Sequence, residues 1–332
     1  MNQFSLSANI ETGFPEGSQY IVTPNAKKVL AEIVNGYQSG IHSYTIIGTY
    51  GTGKSSFLIA LQNDLSGRSK RKYIFDNTDV LGCEKVETLN IVGDYASLPL
   101  LLARKLNIEG NTASVLDALR AYCSKLNAKN TFLVIMIDEF GKILEHAAKK
   151  DPEGELYFMQ KLAEFANVPT RKVILLTTLH QNFSAYAKGL SQAQRNEWNK
   201  VQGRFKVVVF VEPVEQILML AARQNQAQER NLTEAEEANL SILYQLAIKT
   251  RFVSADFSFE SAKSLYPLDP FSAFSITQAI QRYGQNERSL FSFLHAQGSN
   301  SLNEFIPSAR KTYNLQMVYD YVIYNFYSFL KD

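Results

Sequence analysis

The stretch "IIGTYGTGKSS" at residues 46–56 limits what this chain can fold into more than any other part of it. An apolar run leads into Gly48, Gly51 and Gly53, and these are followed by Lys54, Ser55 and Ser56. Glycine loses more backbone freedom on folding than other residues, so such a density implies conformations or close approaches that a side chain forbids. The spacing Gly48-x-x-x-x-Gly53-Lys54-Ser55 is that of a phosphate-binding loop, whose successive N–H groups face one concavity and hold an anion. "SYTIIG" before it is predicted to be a short buried strand. "KSSFLIALQNDL" after it places Phe57, Leu58, Leu61 and Leu65 at helical spacing. The start of that helix adds its dipole to the anion site. On this reading Gly48, Thr49, Tyr50, Gly51, Thr52, Gly53, Lys54, Ser55 and Ser56 bind ATP. Lys54 reaches the β- and γ-phosphates and the Ser55 hydroxyl binds Mg2+. The plain alternative is a glycine-rich turn between a strand and a helix.

A second constellation lies downstream. "TFLVIMIDEFGK" is an unbroken apolar run ending in Asp138 and Glu139, as suits a parallel strand buried on both faces. Acids at the end of such a strand lie where ligands of open α/β sheets collect. Asp138 is expected to hold Mg2+, directly or through water, and Glu139 to act as general base on the water that attacks the γ-phosphate.

The remaining segments alternate between the two element types. "TPNAKKVLAEIVNG" is predicted to be a helix capped by Thr23, with Pro24 in its first turn and Gly36 at its end. "KYIFDN", "VETLNIVG", "KVILLTTLHQ" and "RFKVVVFVEP" are predicted strands, the last of them buried and ending at Pro213. Residues 98–126 are mostly helical with a break at "NIEGNTAS", and "ELYFMQKLAEFAN" is helical. Strands alternating with helices imply an α/β domain around a parallel sheet. After Pro213 the segments "VEQILMLAARQNQAQER", "TEAEEANLSILYQLAIK", "SAFSITQAIQRYG" and "ERSLFSFLHA" all have the helical pattern. The expected division is 1–212 for an αβα domain, 213–300 for a helical lid domain and 301–332 for the start of a further helical region.

Composition narrows the surroundings. The 332 residues are 45% apolar, ample for a core, and the formal charge of +2 gives no sign of nucleic-acid binding, although a local basic face stays open. Cys83 and Cys123 are the only cysteines, which argues for a reducing compartment and against a structural zinc site. The first residues lack the basic start and apolar core of a signal peptide, and no stretch approaches the roughly 20 apolar residues of a membrane span. A cytoplasmic protein with no membrane partner is expected.

Three features stay open on the residues alone. Thr177, Thr178, His180 and Gln181 follow the next strand, where a polar group either touches phosphate or merely closes the strand. His180 has no cysteine or histidine at ligand spacing and is not taken as a metal ligand. Arg204, in "QGRFKVVVFVEP", reads locally as a solvated charge at a strand start. The final "YDYVIYNFYSFLKD" carries aromatics round more than one helical face, which points to packing; a base-stacking platform would need interleaved basic residues.

"GTYGTGKSS", "VIMIDEF", "LLTTLHQ", "QGRFKVVVFVEP" and "YGQNERSLFSFL" occur in the order expected of AAA+ ATPases, and the chain resembles these over about residues 20 to 300. The nearest branch is similar to origin-recognition-type initiators and STAND-like signalling ATPases. The resemblance implies a P-loop αβα domain followed by an α-helical lid, Mg2+-dependent ATP hydrolysis, and a homo-oligomer or partner subunits. It makes Arg204 an arginine finger for a neighbouring nucleotide, Arg288 a nucleotide contact from the lid, and Thr178 or a neighbour the polar sensor. "DEFGKILE", "TLHQNFSAYAKGLS", "RNEWNKVQGRF" and "NERSLFSFL" further resemble the large ATPases of bacterial phage-defence islands, such as those of BREX-type systems. Threonine departs from the asparagine or arginine usual at the sensor position. Proteins of the defence group are also longer, so the chain is expected to be the N-terminal ATPase portion of a larger one. A P-loop kinase or nucleotide transferase, and a nucleotide-dependent binding module with little turnover, are the competing readings. The helical second half and Glu139 argue against them in turn.

Overall fold

The predicted alternation gives rise to α1 (Pro24–Gln38), β1 (Ser43–Ile47), α2 (Lys54–Leu65), β2 (Lys85–Val92), α3 (Leu98–Leu106) and α4 (Thr112–Asn127). These are followed by β3 (Thr131–Asp138), α5 (Phe140–Lys150), α6 (Pro152–Ala166), β4 (Val173–Leu179), α7 (Gln192–Gln202) and β5 (Lys206–Val209). The structure, a computed structural model, describes residues 8–14, 20–67, 72–75, 81–109, 112–225, 231–254, 256–283, 290–295, 300–306 and 311–330. Among these the strands form one sheet in the order β2-β3-β4-β1-β5, every neighbouring pair parallel.

Successive side chains of a strand point to opposite faces, and β3 shows why its apolar run is unbroken. Leu133, Ile135 and Ile137 enter one core with Leu102, Leu119, Ile143, Leu162 and Trp198 of the helices α3 to α7. Phe132, Val134 and Met136 enter another with Val29 and Ile33 of α1 and Leu58 and Leu61 of α2. The sheet is thus covered on both sides, as all-parallel sheets are.

Three expectations need correction. α1 begins as expected, with the Thr23 hydroxyl accepting from the Ala26 N–H at 3.0 Å, but it runs past Gly36 to Gln38. Gly36 serves packing instead: a Cβ there would lie 2.4 Å from the buried Tyr44 hydroxyl. "KYIFDN" is no strand over its described residues 72–75. The amides of Tyr73, Ile74 and Phe75 donate instead to the carboxylate of Asp64, which is fully buried, at 2.8, 2.7 and 2.9 Å. Three N–H donors meet the cost of burying that charge. β5 is not a buried run but a sheet edge, with Val207 and Val209 exposed and Val208 and Phe210 buried. Its alternation is that of a strand with one covered face, which a string of valines conceals.

The chain divides into two compact units, residues 1–48 with 53–210, and residues 211–332 with the loop residues 49–52. The second unit contains α8 (Val214–Asn225), α9 (Glu234–Lys249), α10 (Phe259–Ser264), α11 (Pro270–Tyr283), α12 (Leu290–His295) and α13 (Leu315–Leu330). It has its own core, including Leu218, Phe257, Ile276, Phe293, Tyr313 and Phe326. The aromatics of α13 divide by face. Tyr321 and Phe326 are buried, whereas Tyr319 and Tyr324 are exposed; Tyr327 and Phe329 lie outside the described side chains. Among the described residues no helix is long and apolar enough to cross a membrane.

Candidate nucleotide-binding site

In a parallel sheet the segments that leave the strands all emerge at one edge. Gly48 follows β1, Glu139 follows β3 and His180 follows β4. Because β4 lies between β1 and β3, His180 falls between the loop lysine and the acidic pair.

The glycine-rich loop adopts the backbone that its composition requires. Gly51 and Gly53 have φ of 72° and 93°, a region that strains residues bearing a Cβ. The Gly48 N–H donates to the Leu179 carbonyl at 3.1 Å, and the Thr52 hydroxyl donates to the Thr49 carbonyl at 2.8 Å. Thr49 is exposed, Tyr50 half-buried and Thr52 buried. Lys54 opens α2 and is only 5% exposed. Its ammonium donates to the Gly48 carbonyl at 2.5 Å and lies 3.4 Å from His180 Nδ1. Burial lowers its pKa to about 8, against the pull of Asp138 and Glu139, which favour the charged form. Ser55 and Ser56 are half-buried in the first turn of the same helix.

Asp138 closes β3 and is buried. One of its oxygens, Oδ1, accepts from the Thr178 hydroxyl at 2.5 Å and from the Glu139 N–H at 3.1 Å. That N–H also reaches the Thr178 hydroxyl at 3.1 Å. Glu139 turns the chain from strand to helix with φ of 55°, an uncommon value for a residue with a side chain. The turn is tight enough to need Gly93 beside it: a Cβ there would lie 2.3 Å from the Glu139 carbonyl oxygen, and the Gly93 N–H donates to the Asp138 carbonyl at 2.7 Å. Glu139 Oε2 lies 3.5 Å from His180 Nε2 and 3.3 Å from Lys142 Nζ. The hydrogen bond from His180 depresses the carboxyl most, burial opposes it and Lys142 adds to it, leaving a pKa of about 2.

The polar residues after β4 therefore separate. The Thr177 hydroxyl donates to the Tyr44 carbonyl at 3.1 Å and meets the Thr45 hydroxyl at 3.0 Å, so it ties two strands together. Thr178 holds the acidic pair, and Gln181 is exposed. His180, one of the four polar residues left open by the sequence, reaches both Lys54 and Glu139. The signal for His180 is its position on a strand lying between the two motif-bearing strands, which needs the strand order.

Arg204 is not brought to this group within one chain. It precedes β5, whose Lys206 is paired with Tyr44 near the start of β1, at the sheet edge opposite the loop. Its guanidinium is half-exposed and lies 3.2 Å from Glu164. Its carbonyl accepts from the Ser43 hydroxyl at 2.7 Å and the Asn167 amide at 3.1 Å. Arg288 lies outside the described residues.

The donor chemistry suits Mg2+. Ser55 and Asp138 offer hard oxygen ligands, and Mg2+ commonly takes one or two such groups and completes its shell with water and phosphate. Among the described residues no group of three or more His, Cys, Asp or Glu could hold a metal by itself.

Fold and loop together define a P-loop αβα unit with a parallel sheet, followed by a helical unit. The sequence matches no protein-family model and no curated protein. Among solved structures the chain is similar to the ORC2 protein of Aeropyrum pernix in ADPNP–ADP complexes, at 12% identity over 86% of this chain and 69% of that one, with a TM-score of 0.43. It is also similar to Drosophila ORC bound to DNA (14% identity, 77% and 58% of the two chains, TM-score 0.40). A third likeness is to C. elegans PCH-2 (14%, 91% and 70%, TM-score 0.39). At these values none of them assigns a family or an activity to this chain.

Proposed function

We propose that this chain is an AAA+-type ATPase that binds ATP with Mg2+ and hydrolyses it to drive conformational switching or assembly. The observation that carries the reading is the convergence of Lys54, Asp138, Glu139 and His180 at one edge of the sheet, beside a loop with positive-φ glycines. The loop N–H groups and Lys54 take the β- and γ-phosphates, the Lys54 ammonium being held in place by the Gly48 carbonyl. Ser55 and Asp138 hold the Mg2+, which neutralises phosphate charge when bound. Thr178 fixes the Asp138 carboxylate by its hydroxyl and serves as the sensor-strand polar group. Glu139 takes a proton from a water as that water's oxygen bonds to the γ-phosphorus. The bond to the β–γ bridging oxygen breaks, and ADP and phosphate leave.

The wider proposal follows the sequence resemblance. Arg204 acts on the nucleotide of a neighbouring copy or partner subunit, and Arg288 is a further phosphate contact. Residues 1–212 form the ATPase domain, 213–300 the lid and 301–332 a further helical region. The setting is a phage-defence or DNA-processing complex in the cytoplasm.

Two substitutions test the core of this reading. Lys54→Ala removes the main cationic partner of the phosphates, and calorimetric titration is expected to find no ATP binding. Glu139→Gln keeps size and hydrogen bonding but removes the base. It is expected to bind ATP while turnover falls by about 10²–10⁴-fold, the scale of a lost general base. Retained affinity in the first variant, or near-normal turnover in the second, contradicts the assignment.

A further inference from the structure

Lys54, His180 and Glu139 form a chain of contacts. The Lys54 ammonium has hydrogens to give and no lone pair, so His180 Nδ1, 3.4 Å away, is the acceptor in that contact. A neutral imidazole whose Nδ1 accepts carries its proton on Nε2. That nitrogen lies 3.5 Å from Glu139 Oε2. Ammonium, imidazole and carboxylate therefore lie in series, each donor nitrogen within 3.5 Å of the next acceptor. Such chains polarise one another, so the lysine makes Nε2–H a better donor to the carboxylate. Glu139 also has a cationic neighbour, Lys142, at 3.3 Å, but the Lys142 side chain is 51% exposed against 14% for His180. Water screens the first contact more than the second.

We propose that His180 is a positioning residue that ties the phosphate-binding lysine to Glu139, so that a phosphate group at Lys54 changes how firmly the Glu139 carboxylate is held. The proposal rests on the nucleotide reading above and adds a coupling to it. Phosphate oxygens and His180 Nδ1 draw on the same ammonium. As phosphate takes a larger share, Nε2–H becomes a weaker donor and Glu139 is released toward the attacking water. His180 can occupy this place because β4 separates the strand of the loop from the strand of the acids.

Two measurements on the full chain decide it. The first is a calorimetric titration with Mg2+ and a non-hydrolysable ATP analogue. His180→Ala is expected to bind the analogue about three- to tenfold more tightly, the scale of one modest hydrogen bond no longer competing for Lys54. His180→Gln, whose amide can accept from Lys54 and donate to Glu139, is expected to stay within about twofold of wild type. The second is 15N NMR of the imidazoles. The chain has four histidines, so His180→Gln assigns the resonance by its disappearance. His180 is expected as the Nε2–H tautomer, with its Nδ1 signal moving when the analogue is added. An Nδ1–H tautomer, a signal that does not move at saturation, or weaker or unchanged binding by His180→Ala overturns the proposal. If His180→Ala does not fold, the imidazole spectra and His180→Gln carry the decision. Failure of the wild-type chain to bind the analogue defeats the nucleotide reading itself, and the proposed coupling falls with it; that outcome is visible in the first titration, separately from the tautomer.

Discussion

Lys54 shows how a residue proposed to bind phosphate can work against the fold that holds it. Its ammonium is buried, and burial brings its pKa from the ordinary 10.5 to about 8 even though two carboxylates favour the charge. A cation whose pKa falls on folding destabilises the folded form at every pH below the lowered value, and the cost fades as pH rises toward 10.5. At neutral pH the shift corresponds to something on the order of 3 kcal/mol. Lys54→Met fills similar space without the charge and is expected to be about 1–3 kcal/mol more stable than wild type in urea at pH 7. The gap should narrow between pH 8 and 10.5. A Met variant less stable than wild type at pH 7 shows that the site is hydrated enough to tolerate the ammonium. At this scale the sequence was readable where spacing along the chain encodes the chemistry. Lys54 and Ser55 follow a spaced glycine loop, and Asp138 and Glu139 end an apolar run. Thr178 and His180 are polar candidates on the sequence alone, but their contacts with these residues, and the need for Gly93, become visible only when the strands are placed side by side.

Among the elements, the helices and central strands follow from period and capping, because both signals are local. Two of the failures share a physical cause: a local pattern was satisfied by a partner outside its own segment. "KYIFDN" has strand-forming residues, yet its amides at 73–75 find the Asp64 carboxylate rather than a neighbouring strand. Gly36 resembles a helix stop, yet it is there to admit the Tyr44 ring, whose hydroxyl lies 3.0 and 2.6 Å from the carbonyls of Ile33 and Ile41. Gly36→Ala therefore tests packing against helix propensity. Propensity alone favours alanine inside a helix by about 1 kcal/mol. A separation of 2.4 Å between the new methyl and a buried, doubly contacted hydroxyl leaves no such gain. The variant is expected to lose about 1–3 kcal/mol in denaturant unfolding, the cost of overpacking a filled site. A more stable variant would mean that the ring moves aside cheaply.

For the whole molecule, the described residues of the proposed site gather Lys54, Asp138, Glu139 and His180 at one edge of the sheet, whereas Arg204 lies at the far edge. An arginine supplied by a neighbour is worth about 10³–10⁵ in rate in related phosphoryl transfers. The isolated chain is expected to bind ATP and hydrolyse it slowly, with specific activity rising with protein concentration. Arg204→Ala is expected to abolish that rise and leave ATP affinity nearly intact. Mixing Arg204→Ala with Lys54→Ala is expected to restore some activity by setting an intact arginine beside an intact loop. Concentration-independent turnover together with an inert mixture favours a solvated charge paired with Glu164.

The way Arg204 is anchored determines how cleanly that experiment can be done. Its carbonyl, not its side chain, takes the bonds from Ser43 and Asn167, and Asn167 also accepts the N–H of His42 through its side-chain oxygen at 2.8 Å. The mount and the tip are thus separate parts. Lysine, glutamine or alanine at position 204 leaves every anchoring group in place, so a graded series there measures charge and reach at a fixed point of attachment. Replacing Asn167 does the reverse, leaving the tip unchanged and loosening its mount.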